Sequence, residues 1–319
     1  MENRSVAILL ATYNPPEKWL CELLDSLNAQ SYPYLHLYVR DDASTTLSLA
    51  RLEELLHMHI TRFPYTLHQN ERNLGSNGTF AALVTDCCED FVAYCDQDDI
   101  WLPEKVENTL RLLKESPLSP VMVCTNVRVI DGEGNEIAPT ITTHRRRHVF
   151  LRGTGLTPTL IYRNFSLGCT MLMERARLLT YLPFPKEVVH DHYIAFRAST
   201  EGAIDYLDEP QMLYRVYGRN QTEVMAGVTT KEDYFNRRIQ RFAARLDGFC
   251  ALTDIPELER AKEWSDARIA FFKRENGSLR RLWHLRDVDK KNTLFELFVL
   301  RLPKPLFSFM IRLVQKGIL

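Results

Sequence analysis

Phe91-Val92-Ala93-Tyr94-Cys95-Asp96-Gln97-Asp98-Asp99-Ile100-Trp101-Leu102-Pro103 is the stretch on which the reading of this chain turns. Five uncharged residues, Phe91 to Cys95, read as a strand buried on both faces, as in a parallel sheet. Three carboxylates then fall within four residues. Adjacent negative charges repel, and Asp is disfavoured in strands. A solvated loop or a helix start explains an isolated run of this kind, since Asp favours N-caps and Pro103 suits a first helical turn. Neutralisation by a cation is the other explanation. Oxygen donors without His or Cys suit a hard ion, Mg²⁺ or Mn²⁺, which commonly holds a diphosphate through one or two carboxylates.

Outward from that stretch the pattern repeats. Ser5 to Ala11 is another apolar run, ended by Asn14-Pro15-Pro16, and Leu20, Leu23, Leu24 and Leu27 follow at helical spacing. Leu35 to Val39 reads as a second strand, followed by Arg40-Asp41-Asp42-Ala43-Ser44 and a helix carrying Leu47, Leu52, Leu55 and Leu56. Phe63 to His68 is a weaker third strand, before the loop Asn70 to Gly78 and a helix through Cys87. Phe91 to Cys95 is the fourth, with a helix from Pro103 to about Glu115. Val121 to Ile130 is the fifth. Alternating strands and helices predict a doubly wound α/β sheet, in which ligands bind beyond the carboxyl ends of the strands. Thr12-Tyr13-Asn14, Asp41-Asp42 and Asp96 to Asp99 all fall at such ends.

Beyond Ile137 the regularity fades. Residues 139 to 166 are basic, Thr-rich and irregular, and read as a loop. Gly168 to Met173, Tyr206-Leu207 and Met212 to Val216 read as strands, His190-Asp191 opens a helix, and from about Tyr234 the pattern is mainly helical.

The 319 residues, 45% hydrophobic and 25% charged, suit one large globular domain or two. The net charge of -1 hides an uneven distribution. From Arg268 onward 12 Lys/Arg face 4 Asp/Glu, while the rest carries 28 against 37. Seven cysteines without a CxxC pair favour free thiols in a reducing compartment. Met1 to Arg4 leads straight into the first strand, so no signal peptide is expected, and no apolar stretch is long enough to span a bilayer. The expectation is a cytoplasmic protein, able to touch the bacterial membrane from its inner face.

The ordered motifs resemble the GT-A fold glycosyltransferases of family 2, most nearly a bacterial rhamnosyltransferase-like branch. They are Ala11-Thr12-Tyr13-Asn14, Arg40-Asp41-Asp42-Ala43-Ser44, Asn73-Leu74-Gly75, Asp96 to Lys105, Gly168-Cys169-Thr170-Met171, His190-Asp191 and Tyr214-Arg215. They cover roughly residues 5 to 222. The resemblance implies a GT-A domain over residues 1–222, with a nucleotide-binding half to about 135, an acceptor half from about 136, and a helical extension over 223–319. It implies a nucleotide-diphospho-sugar donor, a saccharide acceptor and an Mg²⁺ or Mn²⁺ cofactor. Asp42, favoured over Asp41, would accept the imide N–H of uracil or thymine. Thr12 and Tyr13 would line the base and ribose pocket, with packing the other reading of Tyr13. Asn73 and Gly75 would let their loop approach the nucleotide, or simply cap a helix. Asp98 would ligate the metal, Asp96 would face the ribose or a metal-bound water, and Asp99 could brace the loop. Asp191 would be the base that deprotonates the acceptor hydroxyl, in a single displacement with inversion; an N-cap is its bland reading.

The resemblance departs at two places. Two residues beyond Tyr-Arg the family carries a His, where this chain has Tyr217, so that Tyr217 or Arg219 would contact the diphosphate and metal dependence is open. Ala43 stands where Gly is usual, which matters only if the position needs a positive φ.

Near the end, Leu306, Phe309, Met310, Leu313 and Val314 form a helical stripe beside basic residues. It suits an in-plane helix on an anionic leaflet near a lipid-linked acceptor, or packing on the protein itself or across a homodimer. Nucleic-acid binding lacks a motif and would oppose an acidic body. The first expectation is an inverting glycosyltransferase that uses dTDP-rhamnose and acts on a growing surface polysaccharide, with a UDP-hexose as the alternative donor. A haloacid-dehalogenase-type phosphohydrolase fits poorly, because the acidic run follows the fourth strand and not the first. A non-catalytic, membrane-associated scaffold of the same fold is the remaining competitor, against which Asp42, Asp96, Asp98 and Asp191 argue.

Overall fold

A computed structural model describes residues 4–145, 148–217, 225, 227–251 and 255–315. The chain divides into two compact units, Met1–Tyr217 and Gly218–Leu319.

The first unit is built on nine strands: β1 (Val6–Thr12), β2 (Leu35–Asp41), β3 (Tyr65–Gln69), β4 (Phe91–Cys95), β5 (Ile100–Trp101), β6 (Met122–Ile130), β7 (Glu136–Ala138), β8 (Leu172–Glu174) and β9 (Ile204–Arg215). Its helices are α1 (Glu17–Asn28), α2 (Leu49–His59), α3 (Gly75–Asp86), α4 (Lys105–Glu115), α5 (Ile141–His144), α6 (Thr157–Tyr162), α7 (Arg175–Leu179) and α8 (His190–Glu201). The sheet runs β3-β2-β1-β4-β8-β6-β9-β5, with β7 beside β6. Its β3-β2-β1-β4 half is parallel, whereas β8 is antiparallel to both β4 and β6.

The apolar runs dictate this arrangement. Val6 to Leu10 and Phe91 to Cys95 are wholly buried because helices cover both faces of a parallel sheet. Leu20, Leu23, Leu24 and Leu27 turn one stripe of α1 into the core. The strand order reverses between β1 and β4, which opens a crevice beyond their carboxyl ends. That crevice receives the loops carrying Tyr13 and Asp96 to Asp99.

Three expectations change. Gly168–Thr170 is a 3₁₀ turn and only Leu172–Glu174 is a strand, because the loop has to bend toward the start of α8. Tyr206-Leu207 and Met212 to Arg215 belong to one strand, β9, which stops one residue short of the expected Val216 and whose register against β6 shifts near Pro210; the interruption in the sequence is a bulge, not a break. The segment 139–166 carries two short helices, α5 and α6, the first closed by a Thr140–Thr143 capping box.

The second unit is helical: α9 (Lys231–Tyr234) runs through a π-helical turn, Phe235–Gln240, into α10 (Arg241–Cys250), followed by α11 (Pro256–Phe272), α12 (Ser278–His284), α13 (Lys290–Val299) and α14 (Lys304–Gln315). Its core gathers Val228, Tyr234, Ile239, Val299, Phe307 and Ile311. A buried Arg268–Glu296 ion pair lies in this unit, with Tyr234 Oη donating to Glu296 at 2.8 Å. The predicted stripe on α14 is corrected here. Phe307 and Ile311 face inward with Met310 and Val314 against the same core, leaving Leu306 and Phe309 exposed. No described helix is long and apolar enough to cross a membrane.

Candidate active site

At the end of β2 the two carboxylates have different loads. Asp41 accepts four hydrogen bonds, from Thr12 Oγ1, Gln69 Nε2, and the hydroxyl and backbone N–H of Ser44. A carboxylate offers about four lone-pair sites, so Asp41 is saturated. Asp42 accepts three, from Asn70 Nδ2 at 2.8 Å, Leu74 N at 2.7 Å and Gly75 N at 2.9 Å. One site remains on Asp42 Oδ2. Its bonds hold the Asn73-Leu74-Gly75 turn, where Gly75 has φ +71° and a side chain would be strained. Asn73 Oδ1 also accepts from Gly75 N.

Ala43 has φ +59°, so the position usually held by Gly does adopt the left-handed region, at a cost of roughly 1 kcal/mol. The strained turn is laced to the loop after β1. Asn14 donates its N–H to Ser44 Oγ, and Asn14 Oδ1 accepts the N–H groups of Thr45 and Thr46. Thr12 is buried, whereas Tyr13 is 48% exposed at the crevice.

Across the switch point, Gln97 grips the backbone of Tyr13. Its Oε1 accepts from Tyr13 N at 2.7 Å and its Nε2 donates to Tyr13 O at 3.1 Å. The three Asp residues around it differ. Asp99 is fully buried, accepts Arg215 N at 3.0 Å through Oδ1, and leaves Oδ2 without a partner. Arg215, itself buried, donates to Asp98 O, Asp131 O and Gly132 O, and pairs with Glu22 at 2.5 Å. It thereby fixes the acidic loop. Asp98 Oδ2 accepts the Tyr217 hydroxyl at 2.8 Å, and the Tyr217 ring rests on Trp19 at 4.7 Å. Arg219 lies outside the described residues.

Burial, then the Asp98 and Asp191 charges, push the Asp96 carboxyl up to about 7. Burial raises Asp98 and Asp99 too. Carboxylates so crowded favour a cation, and the orphaned Asp99 Oδ2 points the same way. Ligand atoms of Asp96, Asp99 and Cys169, the last from the Gly168–Thr170 turn, lie within 4.8 Å of one another, and Asp98 is not in this group. The group's two carboxylates suit a divalent metal, whereas Asp98 Oδ2 is engaged by the Tyr217 hydroxyl. Beneath it, the buried Lys105 ammonium donates to Cys169 O at 2.6 Å and sits over the Trp101 ring, with burial lowering its pKa to about 8. Trp101 is buried.

Asp191 lies in the first turn of α8, where the helix dipole favours an anion. Burial nevertheless raises its pKa to about 6, opposed by backbone N–H donors, the first of them His192. The start of α8 is pinned by Asn77. That side chain accepts His190 N at 2.9 Å and donates to Pro185 O and Val188 O. His190, with Nδ1 3.0 Å from Ser76 Oγ and its ring against Phe80 and Tyr94, is buried and held neutral, its pKa lowered to about 3.

The crevice thus gathers Thr12, Tyr13, Asp41, Asp42, Asn73, Gly75, Asp96, Asp98 and Asp191 on loops and element ends of one unit. Gln97, Asn70, Asn77, Arg215 and Glu22 also shape it, and sequence reasoning assigned none of them a role. Their signal was slight, since a polar loop side chain shows its partner only after folding.

A mixed sheet flanked by helices, with an acidic loop at the β1/β4 switch point, is the GT-A fold. The glycosyl transferase family 2 model matches residues 7–176, more than half of the chain, and the chain belongs to that family. It is a glycosyltransferase. Over 296 residues it is 22% identical to an uncharacterized glycosyltransferase of Nostoc sp., covering 87% of this chain and 86% of the relative. It is 26% identical to the dTDP-rhamnosyl transferase RfbG of Shigella flexneri, over 70% of this chain and 76% of the relative. It is 23% identical to the UDP-Glc:alpha-D-GlcNAc-diphosphoundecaprenol beta-1,3-glucosyltransferase WfgD of Escherichia coli, over 61% and 69%. Among solved structures, S. aureus TarS 1-349 in complex with UDP-GlcNAc superposes with a TM-score of 0.58 at 18% identity, covering 98% of this chain and 91% of that one. The mannosyltransferase PcManGT from Pyrobaculum calidifontis, in complex with GDP-Man and Mn²⁺, gives 0.56 at 15%, covering 99% and 86%.

Proposed function

We propose that this chain is an inverting, metal-dependent glycosyltransferase that moves a sugar from a nucleotide-diphospho-sugar to a hydroxyl of a growing, lipid-linked surface polysaccharide. The observation that carries the reading is the half-buried Asp191, with a pKa of about 6, in the first turn of α8 and close enough to Asp96 to raise its pKa. A base with that pKa is ionised at neutral pH and still accepts a proton.

Asp42 takes the imide N–H of the base on its spare lone pair, with Thr12, Tyr13, Asn73 and Gly75 around the nucleoside. Asp98 and Asp96, with Asp99 beside Asp96, would hold Mg²⁺ or Mn²⁺, and the metal would supply positive charge against the diphosphate. Tyr217 orients Asp98, and Arg219 is assigned to the diphosphate. Asp191 removes the acceptor proton; the acceptor oxygen bonds to C1 as the C1–O bond to the β-phosphate breaks, and that electron pair leaves on the nucleoside diphosphate. One displacement inverts C1. The nucleotide half runs to about residue 135, the acceptor half from about 136 to 222, and residues 223–319 form the helical extension.

Rhamnose from dTDP-rhamnose is the first donor we propose, supported by the resemblance to RfbG. A UDP-hexose is the alternative, supported by the resemblance to WfgD. The C-terminal helices bring the enzyme to the inner face of the membrane, or pair two copies. Transfer of labelled sugar to lipid-linked saccharide, compared between wild type and Asp191→Asn, tests the reading. Metal-dependent transfer lost in the variant is expected; equal transfer by both would refute the assignment of the base.

A further inference from the structure

A cavity of about 490 Å³ opens in the second unit among α9, α11, α12 and the end of α13. Phe271, Phe272 and Leu300 give it apolar walls, and Lys231, Arg274 and Arg301 line it with Glu232 and Glu275. None of these three cations forms a salt bridge with a described carboxylate. Lys231 donates to Leu300 O at 2.6 Å; burial first, then the charge of Arg274, lower its pKa, with Glu232 opposing. Arg301 lies over the Phe271 ring at 5.6 Å. The three cations outnumber Glu232 and Glu275 by one, so the lining carries a net positive charge that suits an anion.

Arg274 gives a second, independent sign. It has φ +61° in the left-handed region, at the position after the last turn of α11, where Gly is the usual resident. Arg274 N bonds Phe271 O and Glu275 N bonds Ala270 O, the pattern of a Schellman turn. A side chain kept there against backbone strain points to a use for its charge.

The same unit exposes large apolar side chains: Leu279, which lines the cavity, and Trp283 on α12, Phe298 on α13, and Leu306 and Phe309 on α14. Free inorganic phosphate needs no such surface, whereas a lipid does. We infer that this cavity binds a phosphate group carried on a lipid, with the exposed apolar side chains entering the bilayer beside it. The inference rests on the membrane contact proposed above and deepens it; the transfer chemistry belongs to the first unit and is read separately.

Flotation of the full chain with vesicles tests it, using phosphatidylcholine alone and phosphatidylcholine containing phosphatidic acid. Arg274→Gly is the decisive variant, because glycine suits the turn and removes only the charge. Wild type is expected to float with phosphatidate vesicles and not with phosphatidylcholine. Arg274→Gly should melt no lower, bind about fivefold more weakly, and keep transfer to a soluble saccharide acceptor. Phe309→Ser should weaken flotation as well. Equal binding by Arg274→Gly and wild type would overturn the site. Inorganic phosphate stabilising the chain as much as phosphatidate would replace the lipid with a free anion. A dimer in sedimentation that Phe309→Ser dissolves would give the apolar surface to a second copy.

Discussion

Asp191 and Asp96 carry the sharpest predictions at the scale of single residues. Because the Asp191 carboxyl titrates at about 6, transfer should rise with pH through that value and level off above it. Asp191→Asn should lower turnover by roughly 10²- to 10⁴-fold while donor binding survives; a KM-against-kcat comparison checks the split. Asp96 is held protonated up to about 7 when folded, against an ordinary value of 3.8. The folded state then keeps a proton that the unfolded chain has released, so its contribution to stability falls as pH rises between those values. Melting temperatures taken across that range should decline less steeply in Asp96→Asn. Added Mn²⁺ should raise the melting temperature more above pH 7 than below it, since the metal competes with that proton. Tyr217→Phe removes the hydroxyl that orients Asp98, and should weaken Mn²⁺ binding about tenfold in a calorimetric titration.

At the scale of elements, the joints between loops decide whether the site assembles. Asn77 makes three hydrogen bonds that fasten the start of α8 to α3. Asn77→Ala leaves partly buried backbone groups unpaired and should cost about 1 kcal/mol of stability. It should also lower kcat more than donor affinity, because it shifts Asp191 and spares Asp42. Urea unfolding and steady-state kinetics on the same variant measure both. The strands and helices of the first half were legible because apolar runs and Leu spacing state them directly. Gln97 and Asn77 were not, because their partners lie 84 and more than 100 residues away in sequence. Nothing local in Gln97 distinguishes a clamp on the Tyr13 backbone from a solvated loop side chain. Ala43 shows the same limit: its residue type says nothing of φ, which the surrounding hydrogen bonds impose. On α14 the stripe was legible as amphipathic, but Phe307 and Ile311 took the inner face that the sequence had left unassigned.

At the scale of the whole molecule, the division of labour follows charge. The acidic crevice of the first unit calls for a divalent cation, whereas the helical unit gathers the chain's basic excess. The two should respond to different ligands, with metal and sugar nucleotide read by the first and anionic lipid by the second. The central claim is that the β1/β4 crevice is a metal-assisted sugar-nucleotide site, and calorimetric titration of dTDP-rhamnose and UDP-glucose into wild type and Asp98→Ala, each with and without Mn²⁺, tests it most directly. Binding of one donor that requires Mn²⁺ and disappears in Asp98→Ala is the predicted result; binding that is unchanged by both the metal and the substitution would contradict it.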